Sequence, residues 1–402
     1  MLRYLTAGES HGPTLVVIVD GVPAGLSLHT DDLDRQLARR QLGYGRGRRM
    51  AIERDRVELV AGVRRGETLG SPVSVLIHNK DWVNWQYTMS VQAEPDEALP
   101  GARRAPVTRP RPGHADLAAG LKYDRADLRD ILERASARET AARVAAGALA
   151  RTLLAALGIR INSHVTRIGD AGIDEAEFVP FPAIAALLDT DDVRCVDGPT
   201  ADRMRAAVDA ARERGDTVGG AFEVVVSGVP VGLGSHTQWD RKLDGLLAQA
   251  LMSIPAIKAV GLGMGPSVGR APGSQVHDEI LLSQRAPTGT LTSLSRPTNR
   301  AGGLEGGVTN GEDLRVTAWM KPISTLMAPL RSVDLATMEE EPAAIERSDV
   351  CAVPAAAVVG EAMVALVLAN AVLERFGGDT MTAIRAAADS WQQRFESRLS
   401  RQ

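Results

Sequence analysis

The chain has 402 residues, of which 44% are hydrophobic, 24% are charged and only 3% are aromatic, and its formal net charge is −4. This length and balance are typical of a soluble globular protein with one large core or two domains. The scarcity of aromatic side chains argues against single-stranded nucleic-acid binding, which depends on stacking platforms.

Apolar runs bounded by turn residues predict the elements of the first part of the chain. Residues 15–19 form a predicted buried strand, and a helix is predicted over 30–42, with Thr30 as its cap and an acidic first turn. Further strands are predicted over 57–62 and 72–77. Two helices follow at 127–133 and 136–157, the second ended by Gly158.

A related pattern occurs later in the chain. The turn at 21–26, Gly-Val-Pro-Ala-Gly-Leu, is matched by Gly-Val-Pro-Val-Gly-Leu at 228–233, between a predicted strand (222–226) and a predicted helix (240–252). The turns at 66–70 and 215–219 also look alike and precede strands. These similarities predict a weak internal duplication with two pseudo-symmetric halves. Chance similarity of glycine-proline turns is the alternative.

The C-terminal part is dominated by a long apolar segment. Residues 353–373 are almost continuously apolar and long enough to cross a bilayer, yet they contain Glu361 and Asn370. We favour a helix buried in a large core over a membrane span. An amphipathic helical tail is predicted over 380–402, and no linker divides the chain, so 1–402 is predicted to be a single domain.

The cysteines and the N-terminus bear on the compartment. Cys195 and Cys351 have neither metal-ligand spacing nor a disulfide framework, and the first residues lack a signal-peptide pattern. We therefore expect a cytoplasmic protein with no metal site.

Arginines cluster in two islands despite the acidic net charge. Eight lie between Arg35 and Arg56, and Arg40, Arg46 and Arg49 surround a glycine-rich stretch at 42–47. Guanidinium groups bind phosphate and carboxylate through two parallel hydrogen bonds. These islands therefore favour a compact anionic ligand, and a solvated loop is the alternative reading.

Two histidines lie in loops suited to proton transfer. His11 follows Ser10 in Gly-Glu-Ser-His-Gly at 8–12, and His114 follows a proline-stiffened approach at 109–113. Histidine titrates near neutral pH, so both are candidate proton donors. Ordinary surface or packing roles are the alternatives.

Three further blocks suit an anionic ligand. Ser136 and Glu139 have capping-box spacing at a predicted helix start, beside Arg134 and Arg138. The glycine-rich 298–311 precedes a strand and then Lys-Pro-Ile-Ser-Thr at 321–325, without the spacing of a P-loop or a dinucleotide fingerprint. Residues 347–354 place an arginine and an aspartate at the entrance of the apolar helix.

Together these blocks resemble the chorismate synthase family, in the family's order and across the chain. They lie at 8–25, 39–50, 109–116, 133–140, 228–235, 298–311, 321–325 and 347–361. The resemblance implies the last step of the shikimate pathway, in which 5-enolpyruvylshikimate 3-phosphate loses phosphate and a ring proton to give chorismate. It also implies a need for reduced FMN without net redox change. The implied fold is α+β, a β-α-β sandwich with central helices between antiparallel sheets and pseudo-duplicated halves, assembled as a homotetramer.

The resemblance also implies residue roles. His11 would protonate near the departing phosphate, His114 would hold the reduced flavin in its productive protonation state, and Asp349 would assist proton transfer at the flavin N5. Contacts to the substrate or to NADPH fall on Ser10, Arg40, Arg46, Arg49 and Arg138. Flavin contacts fall on Arg134, Ala135, Ser136, Pro255, Ala256, Gly306, Lys321, Pro322, Ile323, Ser324, Thr325 and Arg347. Pro255 stands where a polar residue is expected, which leaves a backbone contact there.

The sequence also bears on a surface loop, on the source of reduced flavin and on alternative functions. Residues 284–297 are predicted to be a surface-loop insertion. NADPH could reduce the flavin on the chain itself, but no extra domain is visible, so we favour an external flavin reductase. The alternative functions are a non-enzymatic module that binds a phosphometabolite or RNA, and an FMN-dependent oxidoreductase with net redox. The binding module would have no use for two loop histidines and an aspartate.

Overall fold

The computed structural model describes residues 1–47, 54–92, 105–174, 178–283, 293–346 and 348–399. The helices in these ranges are α1 (Thr30–Gln41), α2 (Asp116–Lys122), α3 (Arg129–Ala135), α4 (Thr140–Ala155), α5 (Phe181–Ala185), α6 (Gly198–Glu213), α7 (Leu243–Met252), α8 (Val353–Phe376) and α9 (Met381–Leu399). The strands are β1 (Arg3–Ala7), β2 (Thr14–Asp20), β3 (Val57–Ala61), β4 (Val63–Arg64), β5 (Glu67–Thr68), β6 (Val73–His78), β7 (Arg160–Ile168), β8 (Ala171–Gly172), β9 (Gly220–Ser227), β10 (Ile257–Leu262), β11 (Leu281–Leu282), β12 (Leu294–Ser295), β13 (Leu304–Glu305), β14 (Val308–Thr309), β15 (Leu314–Met320), β16 (Arg331–Asp334) and β17 (Glu339–Pro342).

Two antiparallel sheets enclose a layer of helices. The first sheet has the strand order β1-β2-β6-β3, and the second has the order β10-β15-β9-β7-β8. The middle layer contains α1, α4, α7 and α8, and both α4 and α8 touch strands. This arrangement confirms the α+β sandwich with central helices between antiparallel sheets.

The contact between α4 and α8 forms the centre of the core. Gly147 of α4 faces Ala362 of α8 so closely that a Cβ at position 147 would lie 2.3 Å from the Ala362 Cβ. The glycine thus lets the two helix backbones approach each other. Helix α8 is long and apolar enough to span a membrane, but 89% of its most apolar window is buried inside the fold, as expected of a core helix.

The two sheets repeat one topology. The order β1-β2-β6-β3 corresponds to β7-β9-β15-β10, with α1 after β2 and α7 after β9. The central helices α4 and α8 follow the last strand of each repeated set in the chain. Each half thus supplies one sheet and one central helix, which confirms the predicted pseudo-duplication.

The matching turns make the same hydrogen bonds in both halves. Thr68 Oγ1 accepts from Leu26 N at 3.0 Å and donates to Pro23 O at 2.6 Å. Thr309 Oγ1 accepts from Leu233 N at 2.8 Å and donates to Pro230 O at 2.7 Å.

One predicted equivalence is therefore wrong. The turn at 66–70 corresponds to 307–311, which carries the equivalent threonine, and not to 215–219. The sequence similarity misleads because 215–219 has the same Gly-x-Thr-x-Gly pattern. The Thr217 hydroxyl donates to Ile323 O, whereas those of Thr68 and Thr309 donate to the prolines of the two matching turns.

Several predicted elements differ from the structure at their ends. Helix α1 begins at Thr30, but its cap is His29, whose backbone N donates to Asp32 Oδ2 at 3.2 Å. The helix predicted over 136–157 is α4, preceded by a 3-10 turn at Ala137–Glu139. Of the predicted insertion at 284–297, residues 284–292 lie outside the described residues, and β12 in its last part pairs with β11.

Candidate active site

A buried carboxylate and an indole hold His11 between β1 and β2. The His11 Nδ1 lies 2.9 and 3.0 Å from the two carboxylate oxygens of Glu133, and the His11 backbone N donates to Oε2 at 2.8 Å. On its face the ring stacks on Trp85, with centroids 3.7 Å apart and planes 20° apart. The Glu133 carboxylate therefore holds the Nδ1 side of the imidazole ring.

Glu133 is a strong hydrogen-bond acceptor in this position. Its side chain has no exposed surface. Burial disfavours the carboxylate, but hydrogen bonds from the ring and backbone of His11, together with the charge of Arg129, hold the pKa of Glu133 below its ordinary value. The group therefore stays ionised beside the imidazole.

Two predicted serines lie next to this pair. Ser10 N donates to the Glu133 carbonyl at 3.0 Å, and Ser136 Oγ donates to Ser10 Oγ at 3.1 Å. Ser136 Oγ also accepts from Arg138 N at 3.3 Å, so it caps the 3-10 turn. The structure thus joins the His11 loop to the segment that carries Arg138.

The predicted capping box forms only in part. In the described contacts the Glu139 carboxylate accepts from Arg143 Nε at 2.9 Å and from Thr6 Oγ1 at 3.1 Å, rather than from the backbone of Ser136. The reason is electrostatic, because a charge-assisted bond to a guanidinium is stronger than one to a neutral backbone N–H.

Arginines from three parts of the chain gather around two carboxylates. Arg40 Nη2 and Arg138 Nη1 bind the two oxygens of Asp55 at 3.0 and 2.9 Å, and both arginines are buried. Arg46 Nη1 binds Asp349 Oδ2 at 2.8 Å, and the Gly47 backbone N donates to Asp349 Oδ1 at 2.7 Å. Three predicted substrate arginines and the predicted catalytic aspartate therefore belong to one cluster.

This arginine cluster, defined as Arg40, Arg46, Arg138, Asp55 and Asp349, has one more cation than anion. Burial lowers the pKa of Arg40, and the charges of Arg46 and Arg138 add to that effect, although Asp55 opposes it. The buried Nε of Arg40 has no hydrogen-bond partner among the described residues. The arginine cluster is thus a candidate site for an anionic group.

The Asp116 carboxylate is the hydrogen-bond partner of His114. Its Nδ1 lies 2.5 Å from Asp116 Oδ1, and Arg111 Nε donates to Asp116 Oδ2 at 2.8 Å. Burial opposes ionisation of Asp116, but hydrogen bonds from His114 and Arg111 outweigh it and hold the pKa of Asp116 well below its ordinary value. Arg111 Nη1 also donates to Thr325 Oγ1 at 3.1 Å, which ties this loop to 321–325.

The segment 321–325 connects several predicted flavin positions. Lys321 Nζ donates to the Gly113 carbonyl, beside His114, and Lys321 N donates to Ala256 O at 2.9 Å. Ala256 adopts φ +68°, an unusual conformation for a residue other than glycine. Ile323 O accepts from Thr217 Oγ1 at 2.7 Å. The predicted positions brought together here are Pro255, Ala256, Lys321, Pro322, Ile323, Ser324 and Thr325.

A series of contacts links Arg134 to the segment that contains Pro255 and Ala256. Arg134 Nη1 donates to Gly8 O at 3.0 Å, and its guanidinium lies 3.9 Å from Glu139. Glu139 binds Arg143, whose Nη1 donates to Ser253 Oγ at 2.8 Å, just before Pro255. Ala135 ends α3, next to Ser136.

The predicted flavin position Gly306 lies apart from Ala256. Gly306 lies in the β13–β14 hairpin, whose Gly307 carbonyl accepts from Leu243 N at the start of α7. Ala256 follows the other end of that helix, about 15 Å away by helix rise. Arg49 and Arg347 lie outside the described residues.

The sequence did not assign roles to Glu133, Asp116, Asp55 or Trp85. Asp116 stands two residues from His114, so the motif contained a usable signal. Glu133 and His11 are 122 positions apart, and no sequence pattern links them. Among the described residues, no group of three or more metal-ligating side chains can hold a metal ion.

Comparisons with known proteins identify the family of the chain. The family model described as chorismate synthase matches residues 2–373. The chain is 58% identical to a chorismate synthase of Moorella thermoacetica over 98% of this chain and 99% of that protein, and 55% identical to one of Geobacter sulfurreducens over 96% and 97%. A crystal structure of a chorismate synthase superposes with a TM-score of 0.77 at 39% identity, covering 98% of both chains. The chain therefore belongs to the chorismate synthase family.

Proposed function

We propose that this chain converts 5-enolpyruvylshikimate 3-phosphate into chorismate by eliminating phosphate and a ring proton, as a carbon-oxygen lyase. The observation that carries the proposal is the connection between a held histidine and an anion site. Ser10, next to His11, hydrogen-bonds Ser136, which caps the turn of Arg138 in the arginine cluster. A proton donor and a preformed anion site of this kind suit a substrate with one phosphate and two carboxylates.

In this proposal the arginine cluster binds the anionic groups of the substrate. Arg40 and Arg138 are fixed by one carboxylate, so little side-chain entropy is lost when an anion binds. His11 donates a proton from Nε2 to the departing phosphate, and Glu133 stabilises the imidazolium before transfer. Asp349, held by Arg46 and the Gly47 backbone, is the proposed acceptor on the path of the ring proton.

The residues present fit reduced FMN, which the family requires. The donor set of Lys321, Ser324, Thr325 and Arg134 suits an anionic cofactor. When bound, reduced FMN supplies the electron density that helps phosphate leave. Asp116 holds the Nδ1 side of His114, and in this proposal His114 would keep the bound flavin in its productive protonation state.

The setting of the enzyme is also part of the proposal. We place it in the cytoplasm as a homotetramer supplied with reduced flavin by an external reductase, with NADPH on the chain itself as the competing source.

The test is an anaerobic incubation with 5-enolpyruvylshikimate 3-phosphate and FMN, with and without chemical reduction of the flavin. Equal amounts of chorismate and phosphate, formed only with reduced flavin, are expected. His11→Ala should lose turnover while keeping flavin binding. The matched control His78→Ala changes an exposed histidine on β6 and should leave turnover unchanged.

Two outcomes would contradict the proposal. Flavin binding without any product would leave only a binding function. A product whose mass differs from chorismate by two hydrogens would indicate an oxidoreductase instead.

A further inference from the structure

Glu133 belongs to a chain of contacts that ends on His11. The Trp85 indole Nε1 donates to Asp81 Oδ2 at 3.0 Å, which fixes the ring that stacks on His11. On the other side of the imidazole, both Glu133 oxygens lie within 3.0 Å of Nδ1. The Arg129 guanidinium lies 3.5 Å from Glu133 Oε1 and 5.6 Å from the Trp85 ring centroid. The His11 ring is therefore held on its face by Trp85 and at Nδ1 by Glu133.

We propose that Glu133 is the positioning residue of the elimination, acting through His11 with Trp85 as the platform for the ring. This inference rests on the proposed function of His11. Glu133 does not touch the reacting atoms in this account. It fixes the proton on Nδ1 when the imidazole is neutral, and it stabilises the imidazolium that donates from Nε2.

The geometry separates this role from simple packing. A packing histidine needs one hydrogen bond, whereas here the carboxylate accepts from both the ring and the backbone of the same residue, at 2.9 and 2.8 Å. The Glu133 carboxylate therefore ties both the backbone and the ring of His11 to α3. A neutral amide in place of the carboxylate keeps the volume and one acceptor, but it removes the charge that stabilises the imidazolium.

The fold contains a matched carboxylate–histidine pair outside the site. Glu223 Oε2 lies 2.9 Å from His164 Nε2 and 2.7 Å from Arg315 Nη2, and all three side chains are buried in the second sheet. Glu223→Gln therefore has the same chemistry and burial as Glu133→Gln, without contact to the candidate active site. It measures what loss of a buried carboxylate does to the fold alone.

The experiment compares full-length wild type, Glu133→Gln and Glu223→Gln under anaerobic conditions with reduced FMN. For Glu133→Gln, kcat should fall about tenfold to a hundredfold, which is part of the roughly 10²- to 10⁴-fold contribution that a general acid makes, while KM stays within about threefold. Flavin affinity should not change. Glu223→Gln should lower the melting temperature and leave kcat within about twofold of wild type.

A second measurement tests whether Glu133 acts through His11. In a His11→Ala background, Glu133→Gln should cause no further loss of kcat, because the residue through which it acts is gone. Glu133→Asp keeps the charge but withdraws it from Nδ1, so its kcat should lie between those of wild type and Glu133→Gln. If Glu133→Gln does not fold, Glu133→Asp carries the test.

Several results would overturn the inference. A folded Glu133→Gln or Glu133→Asp with wild-type kcat would do so, as would a full, additive loss in the His11→Ala background. A kcat loss of equal size in Glu223→Gln would show that the effect is structural. Failure of wild type itself to form chorismate would instead refute the proposed function.

Discussion

Glu361 of α8 provides a quantitative test of how the core is held together. It is buried, and it accepts from Arg39 at 2.6 and 2.8 Å, from Arg151 at 2.5 Å and from Ser163 Oγ at 2.6 Å. Burial disfavours the carboxylate, but the charges of Arg39, Arg151 and Arg194 outweigh it and hold the pKa of Glu361 far below its ordinary value. Glu361→Gln would leave the buried guanidinium groups of Arg39 and Arg194, and the partly buried one of Arg151, facing a neutral amide.

The size of the effect follows from this burial. Removing one partner of a buried ion pair costs about 3–5 kcal/mol, because the remaining charge is uncompensated. An unfolding entropy of about 2.1 cal/mol/K per residue gives about 0.84 kcal/mol/K for 402 residues. We therefore expect Glu361→Gln to lower Tm by about 4–6 °C.

The assay is thermal unfolding of both proteins at one scan rate near neutral pH. The matched control is Glu374→Gln on the same helix, α8. It breaks an exposed ion pair with Arg241 and should cost less than about 1 kcal/mol. Because the folded pKa of Glu361 is depressed, its stabilisation is present above the unfolded value and is lost as pH falls. The Tm difference should therefore narrow below about pH 4.3. A Tm for Glu361→Gln equal to that of Glu374→Gln would refute the reasoning.

Two more predictions follow from close contacts. Gly147→Val should abolish soluble expression, because the new side chain would meet the backbone of Ala362, and a soluble, folded variant would contradict the packing account. Asp55→Asn should lower the free energy of unfolding by about 3 kcal/mol, which corresponds to about 4 °C in Tm, since Arg40 and Arg138 lose their shared carboxylate. Added inorganic phosphate should raise the Tm of this variant by more than it raises the Tm of wild type. An equal rise in both proteins would argue against an anion site at Arg40 and Arg138.

Secondary structure was predictable where the pattern is local. The apolar run at 353–373 became α8, and the helix predicted at 240–252 became α7. Helix α6 was missed, although Asp197 accepts from Thr200 N at 2.9 Å and a proline stands in the first turn, which is a readable start signal.

The sequence indicated candidate residues for the site, but it did not indicate how they are arranged in space. Motif blocks indicated His11, His114 and the arginines, because each block is contiguous in sequence. The partners that orient them come from elsewhere: Glu133 from α3 and Asp55 from the segment after α1. Hydrogen bonds between distant segments depend on how sheets and helices pack, which a single sequence does not encode in any local pattern.

The position of α8 has a consequence for synthesis of the protein. This helix lies at the centre of the molecule, and its Asn370 side chain bonds both backbone groups of Leu2 at the start of the first strand. A growing chain therefore carries both complete sheets before the element that fills the space between them has been translated. Until then the sides of α4 and of the second sheet that pack against α8 stay open to water, a state that favours aggregation and chaperone capture. The ribosome must therefore finish nearly the whole chain before these surfaces can be covered.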